Sequence, residues 1–198
     1  MKHLLTAVAV AAMITGCASS PPPIEGSAVV AVDPSSPLAA PTYMAMAASS
    51  DMFEIQSGQM AQQMSQNPAV RGFGSVLVAH HQHTTAQLAA AAQSAGLPPP
   101  PPSMMPNHQA MLEQMRTAGP NFDVAFRDAQ VVAHQEALTL HQNYANGGDV
   151  PTLRTVAGAA VPLIQQHLVT AQGLNVVPIA PPVPSPMVQP EAAAGERG

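Results

Sequence analysis

Histidine is the side chain here best suited to chemistry, because its neutral ring binds metals and its charge changes near neutral pH. His81 lies on the apolar stripe of one helical pattern, His167 on that of another, and His134 at the flank of the stripe in a third, the stretch Asn121–Leu140. Glu54 sits at the flank of a fourth, near its middle. Four long helical patterns thus offer one candidate ligand each, which is how helical bundles assemble metal sites in their cores. Imidazole and carboxylate together suit a single ion such as Zn, Fe or Cu. Gln130 stands one turn before His134 and His141 two turns after it, so both share its line as supporting or structural polar groups.

The same residues admit other readings. A buried network of hydrogen bonds among Glu54, His81, Gln130, His134 and His167 would satisfy them without any ion, leaving a structural or protein-interaction module. Unpaired, each buried group costs ~1–3 kcal/mol against a domain stability of ~5–15 kcal/mol, so they need either partners or an ion. Asp51-x-x-Glu54 also resembles a capping box, a reading that weakens if its helix begins well before it. A separate copper reading rests on Met104, His108, Met111 and Met115, a thioether and imidazole set at helical spacing that suits Cu(I); the alternative there is flexible core filling. In His80-His81-Gln82-His83 adjacent residues point about 100° apart, so only His81 shares the core line, with His80 to one side and His83 outward. No nucleophile elbow, phosphate loop, zinc-protease or dinucleotide motif occurs, and no acid/base pair stands at readable spacing. Binding is therefore expected ahead of catalysis, and no catalytic residue is assigned.

Positioning these groups requires an all-α domain. Aromatics are 3% of the 198 residues, with no Trp, while Ala, Gln, Met and Leu are frequent. The first helix is expected to start near Thr42 as N-cap and to carry Met46, Phe53, Met60 and Met64 on its stripe. The second runs from Ala69 to about Ala95, with Val70, Phe73, Leu77, His81, Leu88 and Ala92 inward. A short helix follows from Pro106 to Thr117. The next carries Phe122, Phe126, Ala129, Ala133, Ala137, Leu140 and Tyr144 inward, with Asp123 in its first turn in a structural role toward the helix dipole. Asp149 is expected to cap the last helix, and Pro162 to bend it. The expectation is an up-and-down four-helix bundle over 42–174 with a short extra crossover helix.

The ends read differently. Residues 1–16 have the form of a lipoprotein signal peptide, with an apolar run from Leu4 to Ile14 and the ending Ile14-Thr15-Gly16-Cys17, which resembles the bacterial lipobox. That implies lipidation of Cys17, the only cysteine, and anchoring in the bacterial envelope. Ala18 after it favours the outer membrane, facing the periplasm. Residues 17–41 read as a Pro/Ser/Ala-rich tether and 175–198 as a disordered Pro-rich tail. With 11 acidic against 6 basic residues there is no footprint for nucleic acid, and a protein partner is not legible.

Four segments resemble the bacterial family called domain of unknown function 4142: SDMFEIQSGQMA at 50–61, NPAVRGFGSVLVAHHQHTTAQL at 67–88, FDVAFRDAQVVAHQEAL at 122–138 and VPLIQQHL at 161–168. The resemblance implies a ferritin-like helical protein of the cell envelope without an assigned activity. Its recurring polar positions fall on Glu54, His81, Asp123, Gln130, His134 and His167. His80 departs from the family, which usually has Asp there. Ferritin-like di-iron sites need more glutamates than Glu54, Glu113 and Glu136 supply, so a di-iron oxidase is not expected.

Overall fold

Proline sets where most of the helices begin. In the computed structural model, which describes residues 32–180, α1 (Ala40–Met64), α2 (Pro68–Ser94), α3 (Pro106–Thr117) and α5 (Pro151–Gln172) each carry a proline in the first turn. There the missing N–H has no helical partner to lose. Asn67 caps α2 by accepting from the Ala69 N–H at 2.9 Å. A single 3₁₀ turn, Gly119–Asn121, leads into α4 (Phe122–Gly147). No strand occurs among the described residues. The signal-like stretch 1–16, Cys17 with most of the tether, and the tail beyond 180 lie outside them.

Two expected caps are replaced. Thr42 lies inside α1 and its hydroxyl donates to the Pro34 carbonyl at 2.6 Å, while Asp149 accepts the Tyr144 hydroxyl at 2.9 Å instead of capping α5. Packed chain also extends past both expected ends of the bundle. Ala39 is buried, and Leu38 O accepts the Asp149 N–H at 3.1 Å. At the other end the Asn121 side chain pairs with both backbone groups of Ile179, at 2.7 and 3.1 Å.

α1 and α2 form one antiparallel hairpin and α4 and α5 another. Tyr43 stacks on Tyr144 and Ser57 meets Gln130, so α1 also runs antiparallel to α4. It follows that α2 and α4 run parallel, and the chain between them, carrying α3 against α1 and α4, returns along the bundle. Up-and-down order thus holds within each hairpin but not across the crossover, the arrangement of bundles with one long connection. α5 continues through Pro162.

The apolar stripes of α2, α4 and α5 are buried nearly as periodicity requires, although Ala129 is only half-buried. α1 differs. Met46 and Met60 are half-buried and Met64 is exposed, whereas Tyr43, Met44, Ala47, Ser49, Asp51 and Glu54 are buried. Being covered by α2, α3 and α4, this helix has a buried face too wide for one stripe, and small residues fill it. At its crossing with α2 a Cβ on Gly58 would lie 2.5 Å from the Gly74 carbonyl oxygen, and one on Gly74 would lie 2.7 Å from that of Gly58. The backbones therefore touch one turn from Glu54 and two turns from His81. One apolar cluster, around Tyr43, Leu88, Tyr144 and Leu153, fills one end of the bundle, and another, around Phe53, Phe73, Met115 and Phe126, the other. The polar residues occupy the middle.

Candidate metal centre

His81 from α2, His134 from α4 and His167 from α5 meet in that middle layer, each offering a ring nitrogen within 4.8 Å of the other two. They are only 4%, 1% and 2% exposed. Each ring is held from its far side. His81 Nδ1 lies 2.8 Å from Asp51 Oδ1, and the hydroxyls of Thr84 and Thr85 donate to the two Asp51 oxygens at 2.9 and 3.0 Å. His134 Nδ1 donates to the Gln130 carbonyl at 2.8 Å, an i−4 bond within its own helix. His167 Nε2 pairs with His80 Nδ1 at 2.9 Å, the two rings nearly parallel. With those atoms engaged, His81 Nε2, His134 Nε2 and His167 Nδ1 are buried with no hydrogen-bond partner among the described residues. An imidazole binds metal through a nitrogen free of other partners, and the outward bonds fix which nitrogen of each ring that is.

Glu54 is fully buried beside the cluster but stands outside the group of three. Its Oε1 lies 3.5 Å from His134 Nδ1, the ring nitrogen turned toward Gln130, and its Oε2 is unpartnered. Its carboxylate thus reaches the imidazoles from α1, on the Nδ1 side of the His134 ring. Gln130 donates from Nε2 to Ser57 Oγ at 2.8 Å, completing the support of His134.

Burial pushes the Glu54 carboxyl up, against the opposing charges of His134 and His81. For His81 burial works against the charged ring, but the Asp51 hydrogen bond and the Glu54 and Asp51 charges outweigh it and raise its pKa. His167 moves the other way, pushed down to about 3 by burial and by His81, His134 and His80. The middle layer thus mixes a ring inclined to hold a proton with one that stays neutral.

Other candidates fall elsewhere. Asp123 lies in the first turn of α4, eleven residues or about 16 Å along the axis from His134, and fits the dipole role. His141 is not part of the cluster; its Nδ1 pairs with Tyr43 OH at 3.2 Å. Of the methionine set, His108 stacks on Phe53 and bonds Ser49 Oγ at 2.7 Å through Nδ1. Met104 borders one surface cleft, Met111 and Met115 a second, and His108 a third. Nothing gathers the four around one opening. The Asp51-x-x-Glu54 capping box is also absent, since both residues lie in the middle of α1.

Asp51, Thr84, Thr85 and the partnership of His80 with His167 escaped the sequence reading. Asp51 was within reach, because it stands three residues before Glu54 and so shares its helix face. His80 was not, since only the approach of α5 gives it a partner.

His141 yields a pH prediction. Burial lowers its pKa from 6.5 to about 4, helped by His81 and opposed by Asp51. A histidine with a depressed folded pKa contributes stability that is fully present above its unfolded value and lost as pH falls through the folded one. Melting temperatures of metal-free protein should therefore drop between about pH 6.5 and 4. The drop should be shallower in His141→Gln, and an identical profile in that variant would remove His141 as the cause.

A helical bundle with a crossover helix and three imidazoles gathered in its core is the class of protein that fold and site define. The chain belongs to the family described as Domain of unknown function (DUF4142), whose model matches residues 27–174. Among solved structures it is similar to CopM in the Cu(II)-bound form, at 16% identity and a TM-score of 0.59, over 68% of this chain and 93% of that one. The Ag-bound form of CopM, obtained by co-crystallization, matches with the same identity and coverage at a TM-score of 0.57. At that identity the likeness is one of fold. No curated protein matches the chain.

Proposed function

We propose that this domain binds one transition-metal ion through His81 Nε2, His134 Nε2 and His167 Nδ1, with Glu54 beside them as a carboxyl that a bound cation would draw into its charged form. The observation that carries the reading is the meeting of three buried imidazoles that bring ring nitrogens within 4.8 Å of one another, each ring also keeping one buried nitrogen without a hydrogen-bond partner. With Glu54 Oε2 and Gln130 Oε1, those nitrogens make five buried side-chain atoms without a partner among the described residues, more than a self-contained polar network would leave open. Bonds of about 2.0–2.1 Å to an ion require the rings to draw together slightly. Imidazoles suit zinc, copper or iron, and three protein ligands leave a coordination position for water or a small ligand. CopM was solved with Cu(II) and with silver, which makes copper the first ion to test.

The envelope is the setting this reading assumes, with the bundle tethered from a lipidated Cys17. The lipobox-like ending supports it, and no described helix is long and apolar enough to cross a membrane. Elemental analysis and titration of the purified protein should find about one equivalent of metal, lost in His134→Ala. Saturation at 100 times Kd should stabilise the fold by ~2.7 kcal/mol. Metal-free protein whose melting is unmoved by excess Cu(II), Zn(II) and Fe(II) would sink the proposal.

A further inference from the structure

The three ligand nitrogens are sealed in the core, so an ion needs a way in. One residue reaches both sides of that seal. His167 turns Nδ1 inward and Nε2 outward to His80, and both histidines border a surface cleft of about 560 Å³ between α2 and α5, together with Gly72, Phe73, Val76 and Thr170. Clefts elsewhere on the described surface, beside Met46, Met104, Met111 and Leu97, have none of the three histidines in their walls.

Gly72 adds an independent observation. Glycine in a helix interior is destabilising, and where α1 crosses α2 the cause is visible: Gly58 and Gly74 have no room for a Cβ. Gly72 has nothing within 4 Å of where its Cβ would stand, so packing does not require it. It lines the same cleft as His80 and His167 and adds no side chain to its wall.

We propose that this cleft is the port through which metal ions reach and leave the buried centre, and that His80 is the first protein ligand they meet. An imidazole there replaces part of the hydration shell before the ion passes His167, which lowers the barrier in both directions. The inference rests on the metal-binding reading, and its test separates the two. Co(II), whose visible spectrum reports its ligands, is mixed rapidly with the full chain and then withdrawn with EDTA, in wild type, His80→Ala, Gly72→Leu and the outward-facing control His83→Ala.

All four should reach the same stoichiometry and spectrum. Loading and removal should both slow about tenfold in Gly72→Leu, leaving its affinity unchanged; in His80→Ala loading should slow about tenfold and affinity fall as well, because His167 Nε2 loses its outer partner, while His83→Ala keeps the wild-type rates. Wild-type rates in both His80→Ala and Gly72→Leu would overturn the port. So would a loss of affinity in His80→Ala with loading unchanged, since that is what merely fixing the tautomer of His167 predicts. Wild type that takes up no Co(II), Cu(II) or Zn(II) refutes the binding reading itself, and the port with it.

Discussion

Gly74→Ala should lower the free energy of unfolding by about 2–3 kcal/mol, a large share of what a domain of this size has. The added Cβ would stand 2.7 Å from both the Gly58 carbonyl oxygen and Ala61 Cβ. Backbone cannot rotate out of the way, so α1 and α2 must separate. Gly58→Ala should behave alike, because its Cβ would meet the Gly74 carbonyl oxygen at 2.5 Å. Gly72→Ala, two residues from Gly74 on the same helix, enters open space and should be neutral or stabilising by up to about 1 kcal/mol. Denaturant unfolding of the three variants checks the contrast. Equal behaviour of Gly72 and Gly74 would show that the crossing is looser than its geometry. Separation of α1 from α2 should also weaken metal binding, since Asp51 and His81 face each other across the same seam.

Asp51→Asn should reduce metal affinity by about 10–100-fold with little change in stoichiometry. Asn preserves an oxygen to accept from His81 Nδ1, but it removes the charge that makes the far nitrogen a better donor to metal. Asp51→Ala goes further. The His81 N–H loses its acceptor, while the hydroxyls of Thr84 and Thr85 keep the His81 carbonyl within reach, with an expected stability loss of about 1–3 kcal/mol. Isothermal titration and thermal melting separate the two effects. Metal affinity unchanged in Asp51→Asn would mean that Asp51 serves the fold alone.

The helices and the inward phase of His81 and His167 are legible in the sequence. Period-3.6 patterning bounded by Asn67-Pro68, the proline run at 98–102 and Gly147-Gly148 is a local signal, and local signals survive folding. His81 and His167 sit among Leu and Ile on their stripes, so burying the stripe carries them inward. α1 departs from a single stripe because its buried face is set by three neighbours, and Met46, Met60 and Met64 lie off the centre of that face.

Sequence by itself determined an all-α chain and three buried histidines, since helix phase is a property of residues a few positions apart. Tertiary structure alone decided the rest. Which nitrogen of each ring faces inward depends on partners 30 and 87 residues away for His81 and His167. It also set Glu54 against the His134 ring, made Asp51 the brace of His81, and joined His80 to His167 in the wall of a cleft. Those facts depend on distances between helices, where a shift of an ångström makes or breaks a hydrogen bond, and helical periodicity contains no such distance.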